Sequence, residues 1–195
     1  MVLSKGELRL QRATWPHKFA SSLLMTITPE LMAYKLVTQI FRRKAIIIVP
    51  ECFWAGDEAD LLVVTNNMRL IDIELKISRA DLKRDRQKQK WWKTSSWIST
   101  VDGKGVRNRA ALTHPNRVWK HYFAMPKAIW TDDLVNCLPS PASGIILFDE
   151  SGSPNIYRMS KPDTTSPKIK PESCLELARL EHLRYWKLKL KEMNT

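Results

Sequence analysis

A chain of 195 residues, 44% hydrophobic and 27% charged, is long enough to bury one sizeable core and too short for two full domains. No run approaches the ~18 apolar residues of a membrane span, the N-terminus carries no signal-peptide core, and zinc spacings, P-loops and Rossmann glycine fingerprints are absent. The balance is strongly basic, with 32 Lys and Arg against 20 Asp and Glu for a net charge of +12, which favours a polyanionic partner. Cys52, Cys137 and Cys174 are odd in number and far apart, and read as reduced thiols of a cytoplasmic protein.

In chain order, residues 1–28 form a basic N-terminal arm, with Trp15-Pro16 breaking any long helix. Thr28-Pro29-Glu30 is a helix entry: an N-cap hydroxyl, a proline at the first position and an acid in the first turn. Ala33, Leu36, Val37, Ile40 and Phe41 then recur at helical spacing, so this helix faces a core. The aliphatic run Ala45 to Val49 predicts a buried strand ended by Pro50, with Glu51 just beyond it.

Glu58 to Val64 and Leu70 to Ile77 alternate with the period of half-buried strands. In the second, Ile71, Ile73, Leu75 and Ile77 share one face and Asp72, Glu74 and Lys76 the other. A two-residue Asn66-Asn67 turn would put Asp60 opposite Ile73, an acid on the apolar face. A three-residue loop, Asn66 to Met68, instead sets Asp60 opposite Glu74 with Cβ atoms ~5 Å apart. The register that keeps the apolar face intact therefore builds a carboxylate pair. Two acids that close repel unless a proton or cation lies between them, and a hard divalent cation with oxygen ligands suits the pair.

Ser78 with Asp81 has capping-box spacing and opens a helix predicted to run to about Trp92. Arg79, Lys83, Arg86 and Lys90 fall on one stripe of it. Residues 83–127 carry 12 Lys and Arg against 2 Asp and Glu, so the excess charge is concentrated here. Residues 91–119 read as a long loop in which Trp91, Trp92 and Trp97 alternate with Lys and Ser, and Lys93, Arg107 and Arg109 add charge. Further strands are expected at His121 to Pro126 and Gly144 to Phe148, with a short helix near Asp132 to Leu138 between them. The organisation is then an arm (1–28), a domain (29–159) with a basic Trp-containing insertion (91–119), a linker (160–171) and a C-terminal helix (172–195) open to a second copy or a protein partner.

The order helix, strand, strand-turn-strand, helix, strand resembles the α/β, restriction-endonuclease-like core (α-β-β-β-α-β, a mixed central sheet flanked by helices) of the PD-(D/E)xK nuclease superfamily. Asp60 with Glu74-Leu75-Lys76 looks like its signature. The wider run of Glu51, Ala59-Asp60, Glu74 to Asp85 and Tyr122-Phe123-Ala124-Met125-Pro126 is similar to the MmcB-like endonucleases associated with DNA repair. The likeness spans roughly residues 30–150. The basic stretch 91–119 is longer than that family's, Asp72 stands where the family is apolar or neutral, and the C-terminal helix has no counterpart in it.

The resemblance and the residues together imply a metal-dependent endonuclease that cuts DNA, structure- or break-directed or of low sequence specificity, in a repair, phage or defence setting. Mg²⁺, replaceable by Mn²⁺, is expected on Asp60, Glu74 and Glu51, with Lys76 at the scissile phosphate. Arg79, Lys83, Arg86, Lys90, Lys93, Arg107 and Arg109 are expected to hold phosphates, and Trp91 and Trp92 to stack on bases. Asp72, Asp85 and Gln87 are accessory candidates. Charge alone does not separate double-stranded, branched or nicked DNA from RNA. The alternative is a non-catalytic DNA-binding or adaptor protein on the same fold.

Overall fold

The computed structural model describes residues 26–99 and 105–194. The Thr28 hydroxyl accepts the Leu31 amide at 3.3 Å and opens helix α1 (Pro29–Lys35), with Pro29 and Glu30 in the first turn as expected. The helix then widens into one π-turn, Leu36–Ile40, closed by the Phe41 amide donating to the Leu36 carbonyl at 2.9 Å.

There follow β1 (Ala45–Trp54), β2 (Asp57–Thr65), β3 (Leu70–Leu75), α2 (Arg79–Arg84), β4 (Trp92–Ser99), β5 (Gly105–Ala111), β6 (Lys120–Pro126), β7 (Gly144–Phe148), β8 (Pro154–Arg158) and α3 (Pro171–Met193). Six strands form one mixed sheet in the order β1-β2-β3-β6-β7-β8. Strands β1 to β3 are an antiparallel meander, β3, β6 and β7 run parallel, and β8 returns antiparallel. The fold is α/β around a mixed central sheet.

The structure departs from the sequence expectations in several places, the unexpected strand β8 among them. Pro50 does not end β1, because β1 is an edge strand and can lose a ladder donor. The helix expected to reach Trp92 stops at Arg84, and an extended Lys88 separates two single 3₁₀ turns, Asp85–Gln87 and Gln89–Trp91. Residues 91–119 are not a loop throughout: β4 and β5 pair as a separate two-stranded hairpin, Trp92 with Ala111 and Thr94 with Arg109. The linker expected at residues 160–171 is irregular up to residue 170, as its composition predicts, yet it packs against the domain, and Pro171 already opens α3. The Asp163 amide donates to the Trp119 carbonyl at 2.7 Å and the Ile169 amide to that of Met68 at 2.8 Å. Helix α3 anchors through buried Cys174 and Leu177, while Leu175, Leu183, Trp186 and Leu190 remain exposed.

One face of the sheet is covered by α1 and the π-turn, over Leu61, Val63, Ile71, Ile73, Tyr122, Ala124, Ile146 and Phe148. The other face carries two apolar clusters. Val49, Cys52, Leu62, Val64 and Leu70 meet Ile169, Cys174 and Leu177 at the β1 side. Leu82, Trp91, Phe123, Met125, Ile145 and Leu147 form the second, over β6 and β7. The polar positions of β3 lie between these two patches.

Gly144 fixes how closely β7 approaches β6. A Cβ there would fall 2.3 Å from the Tyr122 ring and 2.7 Å from the Ser160 amide nitrogen. Gly144→Ala is therefore expected to destabilise the fold by about 1–3 kcal/mol, read as a shift in the urea midpoint. A midpoint equal to wild type would show that Tyr122 moves aside freely.

Candidate functional site

The β2–β3 hairpin closes as a three-residue loop. The Met68 amide donates to the Thr65 carbonyl and the Thr65 amide to that of Arg69, both at 2.9 Å, and Met68 takes the left-handed conformation (φ 59°) that such loops require. The ladder pairs Leu61 with Ile73, Leu62 with Asp72 and Val63 with Ile71, so the next step sets Asp60 opposite Glu74. Asp60 Oδ2 accepts the Leu75 amide at 2.7 Å.

The face that carries these acids is closed rather than open. Glu74 is fully buried, and Lys76, Asp85 and Lys90 expose 3% or less. Glu74 Oε2 accepts from Lys76 Nζ at 2.7 Å and from Lys88 Nζ at 2.5 Å, while Oε1 accepts from Lys90. Lys76 and Lys88 also pair with Asp85 Oδ1, at 2.8 and 3.0 Å. Lys90 reaches Asp72 Oδ2 at 2.8 Å. The Trp91 indole donates to Asp85 Oδ2 at 3.0 Å and so fixes the acid that holds Lys76. Asp72, Glu74 and Asp85 thus face the ammonium groups of Lys76, Lys88 and Lys90. Asp60 leaves the group with one more carboxylate than ammonium.

The electrostatics follow from that arrangement. Burial pushes the Glu74 carboxyl up, but Lys90, Lys76 and Lys88 outweigh it and hold Glu74 well below the usual carboxylate range. Burial, then the Glu74 charge, raise Asp60, against the Leu75 amide and the Lys76 and Lys88 charges. Asp72 is raised from 3.8 to about 6, chiefly by burial, with Lys90 opposing. Burial pulls Lys76 down, yet Glu74 and Asp85 carry it above the ordinary lysine range. Lys76 is therefore a fixed cation and cannot act as a proton acceptor near neutral pH. His121 Nε2 lies 4.0 Å from Asp72 Oδ2, but burial and then the Lys90 charge keep the imidazole neutral, so this is not an ion pair.

The other expected residues divide. Glu51 sits across from Asp60, between the pairs Pro50–Leu61 and Cys52–Ala59. Its side chain is exposed, its φ is 46°, and its carbonyl accepts from Arg184 at 2.7 Å. Its carboxylate makes no ion pair with any described residue. Lys83, Arg86, Gln87, Lys93 and Arg109 are exposed, and Arg79 is exposed with its Nε donating to the Ile129 carbonyl at 2.8 Å. Two expectations are corrected. Lys90 does not continue the basic stripe, because the chain turns it inward onto Asp72 and Glu74. Trp91 is no stacking platform: it is buried against His121 and Phe123, with ring centroids 4.7 and 6.3 Å away. Trp92 is half-buried, donating to the Arg86 carbonyl at 3.1 Å. Arg107 and Trp97 pair across the β4–β5 hairpin, and their side chains lie outside the described residues.

Lys88 and His121 are the members that sequence reasoning missed. For Lys88 the sequence carries no distinguishing signal, because Gln87, Lys88, Gln89 and Lys90 are all polar, and only the break between two 3₁₀ turns at Lys88 turns it onto Glu74.

No family model matches the chain, and no curated protein matches it. One solved structure is similar. It is the SPO1766 protein of unknown function from Silicibacter pomeroyi, with a TM-score of 0.51 at 17% identity, over 86% of this chain and 94% of that one. At that identity the likeness speaks to the fold alone. No helix among the described residues is long and apolar enough to cross a membrane.

Proposed function

We propose that the chain is a metal-dependent endonuclease acting on DNA, with a restriction-endonuclease-like core of the PD-(D/E)xK type. The observation that carries this reading is the facing of Asp60 and Glu74 on adjacent strands, with Lys76 two residues beyond Glu74. The antiparallel meander followed by a parallel β6 supports it, as does the basic α2 surface beside it.

A divalent cation must be weighed against the donors present. Among the described residues no group of three His, Cys, Asp or Glu is arranged to hold one, and both Glu74 oxygens already accept from lysines. One of those lysines is exchangeable. The Lys88 side chain is 42% exposed, against 2% for Lys76 and 1% for Lys90. With Lys88 turned to solvent, Asp60 and Glu74 offer hard oxygen ligands and a surplus negative charge, which suit Mg²⁺ or Mn²⁺. Such an ion would polarise the phosphate and lower the pKa of a bound water. Lys76, locked between Glu74 and Asp85, would clamp the charge that develops on the phosphate. Exposed Lys83, Arg86, Lys93 and Arg109 would hold the backbone on either side.

The saturation of Glu74 by lysines favours a second reading, a DNA-binding protein that kept the fold without the chemistry. Incubation of wild type, Asp60→Asn and Lys88→Ala with supercoiled, linear and single-stranded DNA, and with RNA, in Mg²⁺ or Mn²⁺ separates the two. A nuclease should cut in wild type and Lys88→Ala, and lose about 10²-fold or more in Asp60→Asn while still binding. Calorimetric Mn²⁺ binding should be at least as tight in Lys88→Ala as in wild type. Binding without cutting by all three proteins would leave the second reading standing.

A further inference from the structure

A cavity lies on the face of the sheet opposite the acid–lysine cluster and is independent of it. Its volume is about 380 Å³, within the range of small-molecule sites. Ile40 and Phe41, at the end of the π-turn, line it together with Ile71, Tyr122, Ile146 and Ile156. Trp119, Met159 and the Thr65-Asn66-Asn67 turn complete the wall. The same cavity is edged by Arg43, Lys44 and Lys120. None of these three cations forms an ion pair with a described residue, although every lysine of the acid–lysine cluster does. The Lys120 ammonium instead lies 4.6 Å from the centroid of the Trp119 ring. Burial and then the Lys44 charge lower the Lys120 pKa, so two ammonium groups repel each other at the rim.

Backbone detail points to the same place. A π-turn is rare, occurs mostly as a single turn within an α-helix, and is frequent at functional positions. Here it delivers Ile40 and Phe41 to the cavity. Across from it one end of the Asn67 side-chain amide meets the Thr65 hydroxyl at 2.5 Å, whose single proton also faces the Arg69 carbonyl at 2.8 Å, and the other end of the amide makes no hydrogen bond with a described residue.

We infer that this cavity binds a mononucleotide, with its phosphate on Lys44, Lys120 and Arg43 and its base between Trp119 and the isoleucine floor. The base is flat and largely apolar on its faces, as the cavity interior demands, and its polar edge carries both donors and acceptors, which suits the side-chain amide of Asn67. The phosphate supplies the anion that the rim lacks. A fatty acid would satisfy the cations and the floor but would leave the unengaged end of the Asn67 amide without a polar partner.

Isothermal titration of the full chain with AMP, GMP, CMP and UMP, beside inorganic phosphate and decanoate, tests this. At least one nucleotide is expected to bind one-to-one with Kd below about 1 mM. Inorganic phosphate and decanoate should each bind at least about tenfold more weakly, and Lys44→Ala/Lys120→Ala should weaken the nucleotide by at least about tenfold. Both lysines lie at the rim, so the double variant should keep its thermal midpoint. Trp119→Leu, which removes the stacking surface but no charge, should weaken nucleotide binding by a larger factor than phosphate binding. Any of three results overturns the proposal: no nucleotide binds, phosphate or decanoate binds as tightly as the best nucleotide, or the double variant binds like wild type. None of these depends on whether the protein cuts DNA.

Discussion

Glu74→Gln is expected to lower stability by about 3–5 kcal/mol, the cost of breaking a buried ion pair by removing one partner. Glutamine keeps the shape and one acceptor oxygen, so the loss reports charge rather than packing. Three ammonium groups converge on this carboxylate, and only Lys88 can retreat into water. Lys76 would keep Asp85, and Lys90 would keep Asp72, which is why the cost should not exceed that of one broken pair. The measurement is the urea midpoint at unchanged slope. The pH dependence adds a second signature. Glu74 is held below its unfolded pKa, so its contribution is fully present above the ordinary carboxylate range and is lost as pH falls. Glu74→Gln should therefore lose less stability than wild type on acidification. A midpoint within about 0.5 kcal/mol of wild type would mean that the lysines do not depend on Glu74. The expected instability is also why Asp60→Asn is the better variant for separating chemistry from folding.

Much of this arrangement was legible in the sequence, for identifiable reasons. Alternation in Ile71 to Leu75 and the three-residue Asn66-to-Met68 loop fixed the register that sets Asp60 across from Glu74, since a one-residue slip would have buried an acid among the isoleucines. The Thr28 and Ser78 caps formed as expected because a hydroxyl before a helical run has one obvious donor to satisfy. The closure of the site was not legible. It depends on the chain leaving the helix at Arg84 and passing Lys88 in an extended conformation, which swings Lys90 and Trp91 onto β3 and β6. Helical periodicity read across Arg79 to Lys90 gave a basic stripe that the backbone does not continue. A lysine at the end of such a strap looks identical in sequence whether it faces solvent or two carboxylates. Asp72 shows the same limit: an unexplained acid by alternation became intelligible only with Lys90 against it.

The pairing of Asp72 with Lys90 carries the second large expectation. Lys90→Met should cost about 3–5 kcal/mol, because it leaves Asp72 buried without its cation and removes one of the three charges on Glu74. Asp72→Asn should cost less, since Lys90 retains Glu74. The double variant Asp72→Asn/Lys90→Met should recover part of the loss, with a coupling of about 1–3 kcal/mol. The sign of the pH effect follows from the acid. Asp72 is raised from 3.8 to about 6, so the folded protein favours its neutral form and loses stability as pH rises through that window. Removing Lys90 takes away the main force opposing that rise. The window then moves to higher pH, and the deficit of Lys90→Met should be larger at pH 8 than at pH 5. Asp72→Asn/Lys90→Met should lack this difference. If the two substitutions add without coupling and the Lys90→Met deficit is the same at both pH values, Lys90 is held by Glu74 alone, and Asp72 plays no part in closing the strap over the site.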